Sequence, residues 1–271
     1  MTSASDKYSR PSVAVITGGA GTIGTALCEI LALQGMRVVM LDIDADRLHS
    51  ACRIHTERVG KPCSIVAADI STKRGAFTAI EKITETYGEV DILVNNAATK
   101  SSSLDSFFAP DLDYEESTWG EVMATNLSGA FFMCQACGRG MIERRKGTII
   151  NIASIYGVVG ADQRIYDGSQ YLGHTISSPA VYAASKAGLL GLTRHLAAAW
   201  GPLGIRVNAV TPGAVGGEQN QRFVENYSSR VPLGRMANVQ EVVAAINFLI
   251  SDTASYINGH NLVVDGGLTV W

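Results

Sequence analysis

A doubly wound α/β fold, with a parallel seven-stranded sheet and helices on both faces in one domain, is predicted by three observations on the 271-residue chain. Short apolar runs rich in β-branched residues alternate with segments of helical periodicity, and no linker, repeat or charge block interrupts them. The first of these runs passes directly into a glycine-rich loop that opens a helix. A hydrophobic content of 46% with 17% charged residues is enough to bury one large core.

In order, Val13 to Thr17 reads as the first strand, Gly18 to Gly24 as the glycine loop and Ala26 to Leu33 as a helical run. A second strand, Arg37 to Leu41, ends at Asp42. Helix Ala45 to Val59, strand Cys63 to Ala68, helix Thr72 to Tyr87 and strand Asp91 to Asn95 continue the alternation. A polar loop from Lys100 to Glu116 precedes a long helical region from Thr118 to Arg145. Strand Thr148 to Ala153 delivers Ser154; helix Pro179 to Trp200, strand Ile205 to Val210, helix Val239 to Ile250 and strand Asn261 to Val264 complete the chain. Residues 1–12 are polar and read as a flexible N-terminus, leaving residues 13–271 as the domain.

A net charge of -3 and a pI near 6.0 give no basic footprint, which argues against nucleic acid and anionic membrane surfaces as partners. With neither an apolar leader pattern nor an uncharged run of membrane-spanning length, a cytoplasmic protein is expected. Five cysteines are an odd number for a disulfide framework. Cys134 and Cys137 form a C-x-x-C inside an apolar helical run with no second pair, so core packing is expected there and no metal.

Gly19, Gly21 and Gly24 fit the G-x-G-x-x-G spacing between a strand and a helix, where backbone N–H groups and the helix dipole suit a pyrophosphate. Asp42, 18 residues beyond Gly24, is placed to accept hydrogen bonds from a ribose 2′-hydroxyl and to repel a 2′-phosphate, so NAD is expected over NADP. The alternative is a cap on the following helix, a role better suited to Asp44. Asp69 and Asn95 lie at strand ends, as site residues or as turn residues. Asn126, among Met123, Leu127 and Phe131, is either a satisfied core amide or a site residue. Tyr182 and Lys186 are four apart and share a helix face, a pairing that also arises by chance in long helices. A free tyrosine titrates near 10, so a phenolate at neutral pH needs roughly 4 kcal/mol of electrostatic help, part of which an ammonium one turn away can supply.

Taken together, Thr17-Gly18 with Gly21 and Gly24, Asp42, Asp69-Ile70, Asn95-Asn96-Ala97, Asn126, Ser154, Tyr182-Ala-Ala-Ser-Lys186, Arg206-Val207-Asn208, Pro212-Gly213 and Asp265-Gly266-Gly267 resemble the compact, Rossmann-like members of the short-chain dehydrogenase/reductase family. The resemblance runs from Val13 to Trp271. It implies that Tyr182 is the general acid/base, that Lys186 lowers its pKa and binds the nicotinamide ribose, that Ser154 holds the substrate oxygen, and that Asn126 holds a proton-relay water. It also implies cofactor contacts from Gly18, Gly21, Thr22, Ile23 and Gly24, from Asp42 and Ile43, from Asp69 and Ile70 beside the adenine, from Asn95 and Ala97, and from Pro212, Gly213 and Val215 near the nicotinamide. A homodimer or homotetramer built on the helices Thr118 to Arg145 and Pro179 to Trp200 is implied in the same way.

Three small departures accompany the resemblance: Thr22 stands where the family places its second glycine, Ala98 replaces the glycine after Asn-Asn-Ala, and Gly217 stands where a threonine often meets the carboxamide. Only 58 residues follow Gly213, too few for the large C-terminal domain of the family's extended members and its epimerases. The largest departure separates Ser154 from Tyr182: 27 residues intervene, against about a dozen in most compact members. The insertion, about residues 158–176, carries Arg164, Tyr171 and His174 as candidate substrate ligands, or forms a surface excursion or subunit contact. It resembles an insertion in members that handle sugars and sugar acids, so a secondary hydroxyl of a carbohydrate, neutral or anionic, is the expected substrate. Arg222 and Arg230 meet either an anionic substrate group or solvent, and Phe223 and Tyr227 belong to a substrate lid or a plain amphipathic helix. A carbonyl or 3-oxoacyl-thioester reductase uses the same residues; a cofactor-sensing regulator without turnover is the more distant alternative.

Overall fold

The computed structural model describes residues 11–217 and 219–271. Nearly all of the expected flexible N-terminus therefore lies outside the described residues. The first half of the domain consists of β1 (Val13–Thr17), α1 (Thr22–Leu33), β2 (Arg37–Asp42), α2 (Ala45–Val59), β3 (Ser64–Ala67), α3 (Lys73–Tyr87), β4 (Val90–Asn95) and a short α4 (Leu104–Phe107). Then come α5 (Glu116–Met123), α6 (Ala130–Arg144), β5 (Gly147–Ile152), a hairpin of β6 (Gln170–Tyr171) and β7 (His174–Thr175), and α7 (Ala180–Trp200). The chain closes with β8 (Ile205–Pro212), α8 (Gln221–Ser228), α9 (Val239–Ile250) and β9 (Asn261–Val264).

The seven long strands pair in the order β3-β2-β1-β4-β5-β8-β9, every pair parallel. Because side chains alternate across a strand, Ala14, Ile16, Met40 and Val94 join α1 and α9 in one core, while Val13, Val15, Leu41 and Leu93 join α3 and α6 in another. Both faces are covered, which is why the strands read as unbroken apolar runs. The order reverses between β1 and β4, and the crevice at such a reversal is where α/β sheets bind ligands.

Two expected segments differ in detail. The region from Thr118 to Arg145 is helical throughout but is not one regular helix, since Ala124–Gly129 forms a π turn between α5 and α6. A π turn widens the helix by one residue and re-aims the side chains it carries, Asn126 among them. The insertion folds back as a tight hairpin whose two turn residues, Leu172 and Gly173, have φ of 50° and 85°. Ile165 of the insertion packs with Ile155, Phe223 and Tyr227 in a small core of its own, and Asn226 on α8 donates to the Ile165 and Asp167 carbonyls. Insertion and α8 thus form one packed unit.

Candidate active site

The glycine loop is pinned from both sides. Thr17 Oγ1 accepts from the Asn96 and Ala97 amides at 3.0 Å, and Asn96 Nδ2 donates to the Thr17 and Gly18 carbonyls. Gly18 has φ +61°, and a Cβ on Gly24 would lie 2.3 Å from the Gly18 carbonyl, so neither position accepts a side chain. Gly21 precedes α1 with no side-chain cap, which leaves the Thr22 and Ile23 N–H groups without a partner among the described residues. Asp44 caps α2 by accepting from Arg47 N, whereas Asp42 accepts from the Ala20 amide across the loop and from Asp44 N. The cap reading of Asp42 is thereby removed. Ile43 beside it is 70% exposed. Loop, free amides and strand-end carboxylate together fit a dinucleotide.

Other predicted cofactor residues are placed less directly. Asn95 is buried, with Nδ2 donating to Asn151 Oδ1 at 2.9 Å and Asn151 passing the chain of bonds to Thr193. Its side chain braces β4, β5 and α7; it is Asn96 that reaches the loop. Ile70 is buried in the core against α3 and α6, while Asp69 is exposed and accepts from Ser71 N. Gly213 sits under Tyr227, whose hydroxyl would be 2.5 Å from a Cβ there, and Val215 bridges to Ala237. Ala97, half-buried, backs onto Gly18 at the crevice.

Ser154, in extended backbone just after β5, and Tyr182, in the first turn of α7, line one cavity of about 300 Å³. Lys186 is buried behind them and donates from Nζ to the Ile152 carbonyl at 2.8 Å. Burial lowers its pKa to about 8. Asn126 accepts from Thr99 N at 2.9 Å and donates to Ser185 Oγ, which in turn donates to the Tyr182 carbonyl. Asn126, with its oxygen and its nitrogen each bonded, thus ties the π turn to α7. The phenol of Tyr182 is pushed up by burial, with a hydrogen bond from Ser154 pulling it down. The depression expected from Lys186 is not what dominates here: the ammonium stands 5.8 Å from the ring centre and is committed to Ile152.

Of the three insertion residues proposed as substrate ligands, the structure brings one to the cavity. Tyr171 lines it. Arg164 is exposed and grips Asp162 with two nitrogens, and His174 Nδ1 stands 2.5 Å from Asp105 Oδ1, latching the hairpin to α4. Neither lines the cavity. Arg230 pairs with Asp162 as well. Sequence reasoning missed Tyr156 and Tyr166, whose hydroxyls bond at 2.8 Å in the cavity wall, and it missed Lys100 and Gln219. Tyr156, two residues beyond Ser154 in the chain, was the one with a findable signal.

The described residues contain no group of three or more potential metal ligands, and no helix long and apolar enough to cross a membrane. The Cys134 and Cys137 thiols are buried, and burial raises both. The arrangement can therefore bind a phosphate-bearing cofactor at the crevice and exchange a proton with a substrate oxygen held between Ser154 and Tyr182.

Residues 18–269 match a family model described as enoyl-(acyl carrier protein) reductase. The chain is 33% identical to a D-threitol dehydrogenase from Mycolicibacterium smegmatis, over 95% of this chain and 93% of that protein. It is 34% identical to an NAD-dependent glycerol dehydrogenase from Listeria innocua, over 95% and 94%. A short chain dehydrogenase from Leptospira borgpetersenii, crystallised with NAD+, superposes with a TM-score of 0.79 at 32% identity, covering 96% of this chain and 93% of that one. On fold and kinship alike, the chain belongs to the short-chain dehydrogenase/reductase family of oxidoreductases.

Proposed function

We propose that this protein is an NAD-dependent dehydrogenase that oxidises a secondary hydroxyl of a sugar or sugar derivative. The observation that carries this reading is the shared cavity, in which Ser154 and Tyr182 face a wall of hydroxyl and aromatic groups next to the cofactor crevice. In the oxidising direction Ser154 Oγ holds the substrate hydroxyl and Tyr182 takes its proton as the C–O bond becomes a carbonyl. A nicotinamide held at the crevice would supply the hydride acceptor for the same carbon. Lys186 keeps a positive charge behind the phenol, and Asn126 fixes the turn of α7 that presents it. Tyr156, Tyr166 and Tyr171 supply hydroxyls, and Phe223 with Tyr227 an apolar face, for the remaining carbons of a polyol.

The dehydrogenases of D-threitol and glycerol among the relatives support a polyol substrate. Relatives that are 3-oxoacyl-[acyl-carrier-protein] reductases favour a second reading, reduction of a 3-oxoacyl thioester. Purified protein followed at the NADH absorbance with polyols, aldoses, sugar acids and 3-oxoacyl thioesters separates the two. Turnover of carbohydrates with silence on thioesters is expected, and the reverse pattern overturns the assignment. This reading includes a cytoplasmic homodimer or homotetramer; the apolar Trp119 on α5, 41% exposed, suits such pairing.

Asp42 makes NAD the expected cofactor. Exchanging Asp42→Ala removes the acceptor for the ribose 2′-hydroxyl and the repulsion of a 2′-phosphate. The kcat/KM for NAD should fall about 10- to 100-fold, as for loss of a charged hydrogen bond, while that for NADP holds or rises. An unchanged NAD:NADP ratio would remove Asp42 from the cofactor site.

A further inference from the structure

One cation in the cavity has no role in this reading. Lys100 follows Thr99, whose amide is held by Asn126, and precedes Ser101, where the chain turns with φ 62°. Its backbone is therefore fixed at the crevice end of β4. The side chain is exposed at the cavity mouth and reaches across to the insertion, with Nζ 3.6 Å from the centre of the Tyr171 ring. Lys100 and Tyr171 line the same cavity as Ser154 and Tyr182.

The carboxylates that could answer this charge are engaged elsewhere. Asp105 is held by His174, the residue directly opposite Tyr171 in the hairpin, and Asp162 by Arg164 and Arg230. Among the described residues Lys100 makes no ion pair and no hydrogen bond. The ring beneath it offers a weak attraction that aims the ammonium without neutralising it. Desolvation lowers the Lys100 pKa, so the surroundings disfavour the charge they hold. An entering anion relieves that, and polar acceptors such as Gln219 Oε1, buried in the same wall without a partner among the described residues, remain for hydroxyls.

The geometry points to Lys100 as the specificity residue of the cavity, taking an anionic terminus, so that the substrate is a polyhydroxylated acid in preference to a neutral polyol. This rests on the dehydrogenase reading above. Charge, not shape, makes the distinction, and a guanidinium can replace the ammonium.

The test compares kcat/KM for an aldonate, its methyl ester and the alditol of the same chain, in wild type, Lys100→Met and Lys100→Arg. Wild type should prefer the aldonate about tenfold or more over both neutral forms. Lys100→Met should lower the aldonate value about 30-fold while the alditol changes less than threefold, and Lys100→Arg should keep the preference. Equal losses on all three substrates would make Lys100 a structural prop and overturn the inference. Wild-type oxidation of alditols without preference for the acid overturns it too, yet leaves the carbohydrate dehydrogenase intact. Silence on every carbohydrate overturns both.

Discussion

Tyr182→Phe should lower kcat for alcohol oxidation by about a thousandfold, within the usual range for a positioned general acid/base, while leaving NAD affinity and the melting curve near wild type. The phenyl ring keeps the contacts of the tyrosine with Phe107 and Val181 on α4 and α7, and only the hydroxyl that meets Ser154 is lost. Loss confined to kcat is what distinguishes a proton acceptor from a packing residue. The pH profile supplies a second readout. Burial holds the phenol above its ordinary pKa, so its ionised fraction grows about tenfold per pH unit throughout the range below that value. Oxidation by wild type should therefore climb with pH up to about pH 8, where Lys186 begins to lose the charge behind the phenol. Ketone reduction, which draws on the protonated phenol, should be flat near neutrality and fall only once the phenol ionises. In Tyr182→Phe both dependences should vanish with the activity. A wild-type oxidation rate that is flat from about pH 6 to pH 8 would show that another group takes the proton.

Much of this site was legible in the sequence because local chemistry fixes it. The strands of a sheet buried on both faces appear as unbroken apolar runs, the glycine loop is contiguous, and Tyr182 and Lys186 are one turn apart. Asn95 shows where strand parity was overlooked: two residues beyond Leu93, it faces the same α3–α6 core and cannot also face the crevice, which falls to Asn96. The insertion was legible as an insertion but not as a structure. Its course depends on contacts with α4 and α8, made through His174, Ile165 and Asn226, that no periodicity encodes. Lys100 was invisible for the same reason. It acquires meaning only when a hairpin distant in sequence lays Tyr171 beneath it. The π turn at Asn126 has ordinary helical composition, and it ends at Gly129, which packs so closely on the Ile70 carbonyl that a Cβ would lie 2.9 Å away.

Lys186→Met should separate activity from stability. Activity should fall about a hundredfold or more, since the charge behind the phenol is lost. Stability responds to two opposing changes. Burial lowers the lysine to about 8 from an ordinary 10.5, so keeping it protonated in the folded state at pH 7 costs about 3 kcal/mol. Methionine removes that cost but leaves the Ile152 carbonyl without its donor, a loss of about 1–3 kcal/mol. The two nearly cancel at neutral pH, and the variant should melt close to wild type or slightly above it. The pH dependence does not cancel. Between about pH 8 and pH 10.5 the unfolded wild type binds a proton that the folded one has released, so wild-type stability rises with pH in that window. The variant has no such proton. Denaturant unfolding of both proteins should therefore show wild type gaining about 3 kcal/mol on Lys186→Met from pH 7 to pH 10.5. Parallel stability curves would mean that the lysine titrates at its ordinary value, and that the dry, charged pocket behind Tyr182 does not exist as described.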